Sequence, residues 1–370
     1  MSDDEAVAAI STQANVKDKK RSGGRNNKSK ISKKKEKAHQ RDQERKQAVY
    51  NAFNSLYEQE FGAERWSTLL EALKQPVRHC MMINKYSHSQ DLVEKLKKEE
   101  QEETLTRLKF THIPCLASIT HARLPAPSKD RNNVKDYYIL DAGSVLATEA
   151  LDIQPHDRVL DLCAAPGGKS ISILQRLDAS AGGHLTANEI SPDRRRRLRQ
   201  VMDEYIPKEI REDIVTVVGK DGTKWYSEPE QYDKVLLDAP CSSERHLLHD
   251  EKEFEQWSPK RTAHNAQRQL ALLKAAVYSV CVDGIVVYGT CSISSAENDK
   301  VVSKLLRKSK VPVEVIRRSW PIGEKTKYGW IILPDKTEGW GPLYFAVIRR
   351  TGVGKEEELP SEDDEGDEKI

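Results

Sequence analysis

An α/β fold built on a doubly wound, mostly parallel sheet is what this sequence predicts, and three observations predict it. From Tyr137 onward, short apolar runs alternate with amphipathic stretches of helical length, the pattern of strands joined by crossover helices. One such run, Arg158-Val159-Leu160-Asp161-Leu162-Cys163, passes through Ala164-Ala165-Pro166-Gly167-Gly168-Lys169 into a helical stretch. Two others end in Asp238-Ala239-Pro240-Cys241 and in Thr290-Cys291-Ser292. Ligands sit outside the carboxyl ends of strands in open α/β sheets, so two cysteines placed there point to one crevice.

In chain order, residues 1–40 read as a disordered basic arm, because Lys17-Asp18-Lys19-Lys20-Arg21, Lys28-Ser29-Lys30 and Lys33-Lys34-Lys35-Glu36-Lys37 repel one another. Residues 41–136 read as a small, mainly helical region. Phe53, Leu56, Tyr57, Phe61, Trp66, Leu69, Leu70 and Leu73 recur there at helical spacing. The charged stretch 90–108 reads as a further helix or an exposed connector, and Arg123-Leu124-Pro125-Ala126-Pro127 marks a loop. Residues 137–350 form the α/β domain. Within it, 138–151 read as helical and 158–163 as a buried strand. Further strands are expected over 185–188, 214–218, 234–237 and 285–288, with a hairpin-like pair at 330–333 and 343–348. Helices are expected over 170–177, 192–204, 263–280 and 296–308, and the last strands turn antiparallel. Residues 351–370, with Glu356-Glu357-Glu358 and Glu362-Asp363-Asp364-Glu365, read as a disordered acidic tail.

Composition narrows the class. The chain of 370 residues is 32% charged and 37% hydrophobic, and no uninterrupted apolar stretch approaches the roughly 20 residues of a membrane span. Its net charge of +2 hides ends of opposite sign. The basic arm can attract RNA phosphates, or it can merely solvate. The six cysteines are widely spaced with no C-x-x-C, which argues against a zinc knuckle or a disulfide scaffold and for a reducing compartment. Met1-Ser2-Asp3-Asp4-Glu5 lacks the cationic and apolar regions of a secretory signal, and the arm has no clear mitochondrial presequence.

The glycine loop is tested first against phosphate binding. Gly168-Lys169-Ser170 matches the end of G-x-x-x-x-G-K-[ST], but the first glycine falls on Cys163, and no G-x-G-x-x-G is present. What remains is a glycine pair between strand and helix, where backbone can approach a ligand closely. Glu189 ends the next strand, where an acid can accept from two ribose hydroxyls; Asp221-Gly222 follows the third strand, and Asp238 ends the fourth. Singly, each acid is as readily a helix cap or a solvated charge. Together they suit an adenosine-bearing ligand without phosphates, of which S-adenosylmethionine is the common example. The cysteines, too, have a plain reading as small buried hydrophobes. Beside such a cofactor they have a use. A thiolate adding to C6 of cytosine makes C5 electron-rich; C5 takes a methyl group, and loss of the C5 proton with expulsion of the thiol restores the ring. The nucleophile must be a thiolate, so a pKa below about 8.5 helps.

Asp161-Leu162-Cys163-Ala164-Ala165-Pro166-Gly167-Gly168-Lys169, Asp238-Ala239-Pro240-Cys241-Ser242 and Tyr288-Gly289-Thr290-Cys291-Ser292 resemble the signature motifs of the Sun-domain RNA cytosine-5 methyltransferases. Tyr137-Tyr138-Ile139-Leu140-Asp141-Ala142, Arg245-His246-Leu247-Leu248-His249 and Gly341-Pro342-Leu343-Tyr344-Phe345 are similar to its mitochondrial ribosomal-RNA member. The resemblance implies a class I, Rossmann-like methyltransferase fold, S-adenosylmethionine as cofactor and RNA as substrate, ribosomal or transfer. It implies Cys291 as nucleophile, Cys241 in product release, and Asp238 bonded to the cytosine ring near the cofactor. Gly167, Gly168 and Lys169 would hold the methionine moiety, Glu189 the ribose, Asp221 and Gly222 the adenine, with Arg194 a further cofactor position. The rest of Arg194-Arg195-Arg196-Arg197 would be surface or RNA contacts. A mitochondrial location is implied as well, and a helical-repeat partner of the mitochondrial transcription-termination-factor family.

Overall fold

The computed structural model describes residues 24–88, 92, 105–227 and 230–354. The chain divides into two units at Asn51. The first consists, among the described residues, of the leading part of helix α1 (Gly24–Phe61). Residues 24–40 are therefore helical where a disordered arm is expected. No glycine or proline interrupts 25–61, and Lys, Arg, Glu and Gln are good helix formers, so propensity outweighs charge repulsion. Side chains one turn apart add support, as in Arg45 with Asp42 at 3.0 Å and Gln40 with Glu44 at 3.1 Å. The rest of the arm and the acidic tail from residue 355 lie outside the described residues.

The second unit starts with the end of α1 and with α2 (Ala63–Lys74), separated by Gly62 at φ 82°. The apolar stripe of the sequence is buried on them as expected. Phe53, Tyr57 and Trp66 nest against Phe254 and Trp257, with ring centroids 4.8–5.8 Å apart for Phe53 and its four neighbours. Beyond α2 the helical expectation fails. Strands β1 (Cys80–Ile83), β2 (Leu105–Arg107), β3 (Cys115–Ser118) and β4 (Tyr137–Leu140) form an antiparallel sheet in the order β2-β3-β1-β4. Tyr137–Leu140 belongs to that sheet rather than to a helix, because Asp141 caps helix α3 (Ala142–Glu149) by accepting from Gly143 N at 2.7 Å.

The second sheet carries the site. Its parallel part is β5 (Arg158–Asp161), β6 (His184–Asn188), β7 (Val215–Val218), β8 (Tyr232–Asp238) and β9 (Val280–Thr290). Its antiparallel part is β10 (Val313–Ile316), β11 (Glu324–Lys325), β12 (Trp330–Ile332) and β13 (Leu343–Arg350). The order is β11-β12-β13-β9-β8-β5-β6-β7, with β10 also on β13. Crossovers run through α4 (Gly168–Leu174), α5 (Pro192–Tyr205), α6 (Lys208–Ile214), α7 (Glu244–His249), α8 (Glu251–Phe254) and α9 (Pro259–Ser279), and α10 (Asp299–Lys308) follows β9. Helix α5 starts at 192 as expected and α9 four residues before the expected 263; Ser191 and Ser258 cap them, each followed by a proline at the first turn. The strand order reverses at β5, whose neighbours β6 and β8 leave in opposite directions, which opens a crevice at the carboxyl ends.

Candidate active site

The parallel register of β8 and β9 sets Asp238 opposite Gly289, so the chains that leave these strands start level and side by side. Their two cysteines meet: Cys241 Sγ lies 3.1 Å from Cys291 Sγ. Ser243 Oγ sits 3.0 Å from Cys291 Sγ and 3.4 Å from Cys241 Sγ. Ser243 reaches both thiols from a left-handed backbone, φ 52°, which is strained for a serine and is held by the structure around it. Lys169, in the first turn of α4, donates from Nζ to Asp238 Oδ2 at 2.8 Å.

These neighbours divide the two thiols electrically. Cys291 is held below its ordinary pKa, first by the hydrogen bond from Cys241, then by Ser243 and the Lys169 ammonium, against burial and the Asp238 carboxylate. Cys241 is pushed well above it, because its proton is bound between the sulfurs and because it is buried. Burial alone would lower the pKa of Lys169; the adjoining Asp238 outweighs it and keeps the ammonium charged. One thiolate and one thiol are the arrangement that a nucleophile with a separate proton carrier requires.

A buried polar frame fixes both loops. Gln269 on α9 donates to Pro240 O at 2.9 Å and to Glu297 Oε2 at 2.7 Å, and Ser242 N donates to the same oxygen at 3.0 Å. On the other side, Glu244 accepts from Ser292 Oγ and Ile293 N, each at 3.0 Å, and from Tyr57 OH at 2.7 Å. Burial, then the charge of Glu297, pushes Glu244 up to about 7. Through Tyr57 the end of α1 thus holds the segment that follows Cys291. Asn298 closes the turn, accepting from Thr290 Oγ1 at 2.6 Å and donating to Ser292 O at 2.8 Å.

The glycine loop lies between β5 and α4. Gly167 takes φ 123°, and a Cβ there would come within 2.9 Å of Val201; one on Gly168 would come within 2.8 Å of Tyr138. Both glycines are thus required by backbone conformation and close packing. Gly222 has a packing reason as well, since a Cβ would meet Leu272 at 2.8 Å. Arg194 joins the loop to the next strand, donating to Ala165 O at 2.8 Å and pairing with Glu189 Oε2 at 3.2 Å. Arg195 donates to Glu189 O, while Arg196 is an exposed partner of Asp193. Asp221 is exposed and accepts from Thr223 N and Oγ1 in a local turn. Asp161, at the end of β5, accepts from Ser170 Oγ at 2.6 Å, yet its Oδ1 is buried without a partner. Burial pushes its carboxyl up to about 7. An unmet acceptor beside a glycine loop, with Glu189 and Asp238 on flanking strands, fits an adenosine-bearing cation.

Residues 148–349 match the model of the family described as 16S rRNA methyltransferase RsmB/F. The chain belongs to this family. Similar relatives of the RsmB/F chain include the mitochondrial tRNA (cytosine(34)-C(5))-methyltransferase of Mus musculus, 32% identical and covering 82% of this chain and 90% of the relative. The 5-cytosine rRNA methyltransferase NSUN4 of Mus musculus is 36% identical over 62% of this chain and 64% of its own length. Among solved structures, NSun6 from Pyrococcus horikoshii with SFG shares the fold, with TM-score 0.66 and 20% identity, covering 82% of this chain and 98% of that one.

In this RsmB/F-family chain the structure brings together Asp238, Cys241, Cys291 and Lys169, and separately links Gly167, Gly168, Glu189 and Arg194 around one loop. Asp221 stands apart in its own turn. Sequence reasoning misses Asp161, Ser243, Glu244 and Glu297. Asp161 carries a signal, being a strand-terminal acid like Glu189 and Asp238; Ser243 and the two glutamates carry none, because each acts through a contact to a segment distant in sequence, Ser243 with Cys291, Glu244 with Ser292 and Glu297 with Ser242. Ser243→Ala removes a hydrogen bond that favours the Cys291 thiolate, so the acid limb of single-turnover adduct formation should move to higher pH. A bond to a charged group of about 1.5 kcal/mol corresponds to roughly tenfold slower attack at neutral pH. An unchanged pH profile would remove Ser243 from this role.

Proposed function

We propose that this protein is an S-adenosylmethionine-dependent RNA cytosine-C5 methyltransferase that makes 5-methylcytosine in mitochondrial small-subunit ribosomal RNA and so supports ribosome assembly. The observation that carries the reading is the pair of sulfurs 3.1 Å apart at the ends of adjacent parallel strands, one favoured as thiolate and the other as thiol. Cys291 adds to C6 through a sulfur lone pair, and the π pair of the C5=C6 bond passes to C5. Asp238, held by Lys169, lies where it can accept from the cytosine ring and favour this activated form. When bound, S-adenosylmethionine supplies the electrophilic methyl group. Cys241, its own proton released to solvent once the C6–S bond has formed, takes the C5 proton as a thiolate; the C6–S bond breaks with its pair returning to the Cys291 sulfur, and the C5=C6 double bond returns.

Transfer RNA is the second reading, favoured by the mouse tRNA relative that matches over 82% of the chain. Bisulfite sequencing of RNA from cells with and without the protein decides between them: loss of one cytosine signal in small-subunit ribosomal RNA supports the first reading, loss in a transfer RNA only supports the second, and loss in neither overturns both. A mitochondrial location follows the relatives. The helical-repeat partner rests on the family resemblance and on the sequence-independent attraction that a basic arm provides. Selective methylation by the purified chain alone at physiological salt would make that partner unnecessary.

For the cofactor, Gly167, Gly168 and Lys169 would hold the methionine part, Glu189 with Arg194 the ribose, and Asp221 with Gly222 the adenine; Asp161 adds the unmet acceptor. Glu189→Ala and Asp221→Ala should each weaken S-adenosylmethionine by about tenfold, the worth of one or two hydrogen bonds, without unfolding the chain. Glu189→Ala should have the larger effect, because it also leaves the half-exposed Arg194 without its buried carboxylate partner. Titration calorimetry giving wild-type affinity in both variants would exclude this placement.

A further inference from the structure

The outer edge of β13 is shared by two ladders. Strand β10 pairs with Val347–Arg350 and strand β12 with Leu343–Phe345, which leaves a gap in the edge between Phe345 and Val347. A shallow, solvent-open cleft lies there, its lining including Trp330, Phe345 and Val347. Its walls come from the chain leaving β10 and the chain entering β12. They present Arg317, Arg318, Lys325 and Lys327, all exposed, together with Trp320 and Tyr328.

The charge is one-sided for a structural reason. Among the described residues, none of these four cations forms an ion pair, and the acids nearby are engaged elsewhere. Glu314 pairs with Arg349, and Glu324 with Arg65 and Lys336. Asp299 accepts from Thr326 Oγ1, Lys327 N, Tyr328 N and Tyr344 OH. Lys327 Nζ lies over the Tyr328 ring, 5.2 Å from its centroid, and Trp320 packs edge-on against Phe345, so the cleft sets cations beside aromatic rings, the combination with which proteins hold an unstacked base and its phosphate.

Register places the cleft near the chemistry. Phe345 stands opposite Gly289, two residues before Cys291, and the cleft lies one strand beyond β13. At about 3.3 Å per residue and 4.8 Å per strand, that is roughly 12–15 Å from the nucleophile. A cytosine attacked at C6 has to leave its stack, so its neighbours in the RNA are splayed as well.

We propose that this cleft binds one unstacked nucleotide of the RNA substrate flanking the target cytosine, the aromatic side chains taking the base and the arginines and lysines the phosphates. The proposal rests on the RNA methyltransferase reading of the cysteine site and adds a second point of contact to it. The test uses the full chain with a single-stranded RNA carrying the unmethylated target cytosine, measuring affinity against salt without methyl donor and, separately, methyl transfer at saturating RNA. Arg317→Ala with Arg318→Ala should weaken RNA by tenfold or more and flatten the slope of log affinity against log salt by about 1.4, for two phosphates on a single strand. Tyr328→Ala should lose about tenfold with the slope unchanged, and Tyr328→Phe should restore affinity. Turnover at saturating RNA and S-adenosylmethionine affinity should stay at wild-type values, which also shows the variants folded. Wild-type RNA affinity and slope in the double variant overturn the cleft, including the case in which that variant instead loses a protein partner. Absence of methyl transfer by the unmodified chain on every RNA overturns the activity reading, while the binding comparison still judges the cleft.

Discussion

Cys291→Ala is expected to abolish methyl transfer, by 10⁴-fold or more on the scale on which removal of a covalent nucleophile acts, and to form no protein–RNA adduct. The size of the effect follows from the geometry. Cys291 is the sulfur toward which the hydrogen bond from Cys241, the hydroxyl of Ser243 and the ammonium of Lys169 all act. Removing it leaves Cys241, whose pKa is then raised by burial and no longer by the hydrogen bond to Cys291. The substitution should leave the fold intact, because the turn after Cys291 is fixed by Glu244 and Asn298 rather than by the thiol itself. Single-turnover assays with methyl-labelled cofactor and denaturing gels read both outcomes. The same variant separates catalysis from a role as a ribosome-assembly factor: full support of assembly by Cys291→Ala would show that the RNA is bound for another purpose.

Much of this site is legible in the sequence, and the physical reason is that a parallel sheet is buried on both faces. Its strands read as continuous apolar runs, so their ends are sharp, and Asp238, Cys241, Glu189 and Cys291 are found by where those runs stop. The first sheet is not legible for the converse reason. Cys80–Ile83 and Cys115–Ser118 are four residues each, too short to show a period, and lie among charged and proline-containing stretches. Tyr137–Leu140 merges with the helix after it because only Asp141 stands between them. That aspartate also accepts from Gly341 N at 2.9 Å, while buried Arg245 donates to the carbonyls of Gln75, Pro76 and Gly339. Two of the motifs shared with the ribosomal-RNA member are therefore pins between distant segments.

Cys241→Ala should fail in the opposite sense from Cys291→Ala, accumulating a methylated protein–RNA adduct that survives denaturation. The Pro-Cys thiol is the attacking group in DNA cytosine-5 methyltransferases, so the assignment has to be argued from this chain. Here the hydrogen bond between the sulfurs lowers the pKa of Cys291 and raises that of Cys241, so Cys291 is the thiol that ionises first. Attack by Cys291 therefore starts from the favoured protonation state, whereas attack by Cys241 would require the proton to move first. Once the sulfur of Cys291 is bonded to carbon, it no longer accepts from Cys241. The largest cause of the raised Cys241 pKa is then gone, and this thiol can ionise and take the C5 proton. Without it the ring keeps both its new methyl group and the C6–S bond. Attack in the variant should be slower at low pH, because the hydrogen bond that favours the Cys291 thiolate is missing, but it should reach completion. Label from the methyl donor should migrate with the protein in Cys241→Ala and be absent from it in Cys291→Ala. Label trapped in Cys291→Ala and missing from Cys241→Ala would transfer the nucleophile to Cys241.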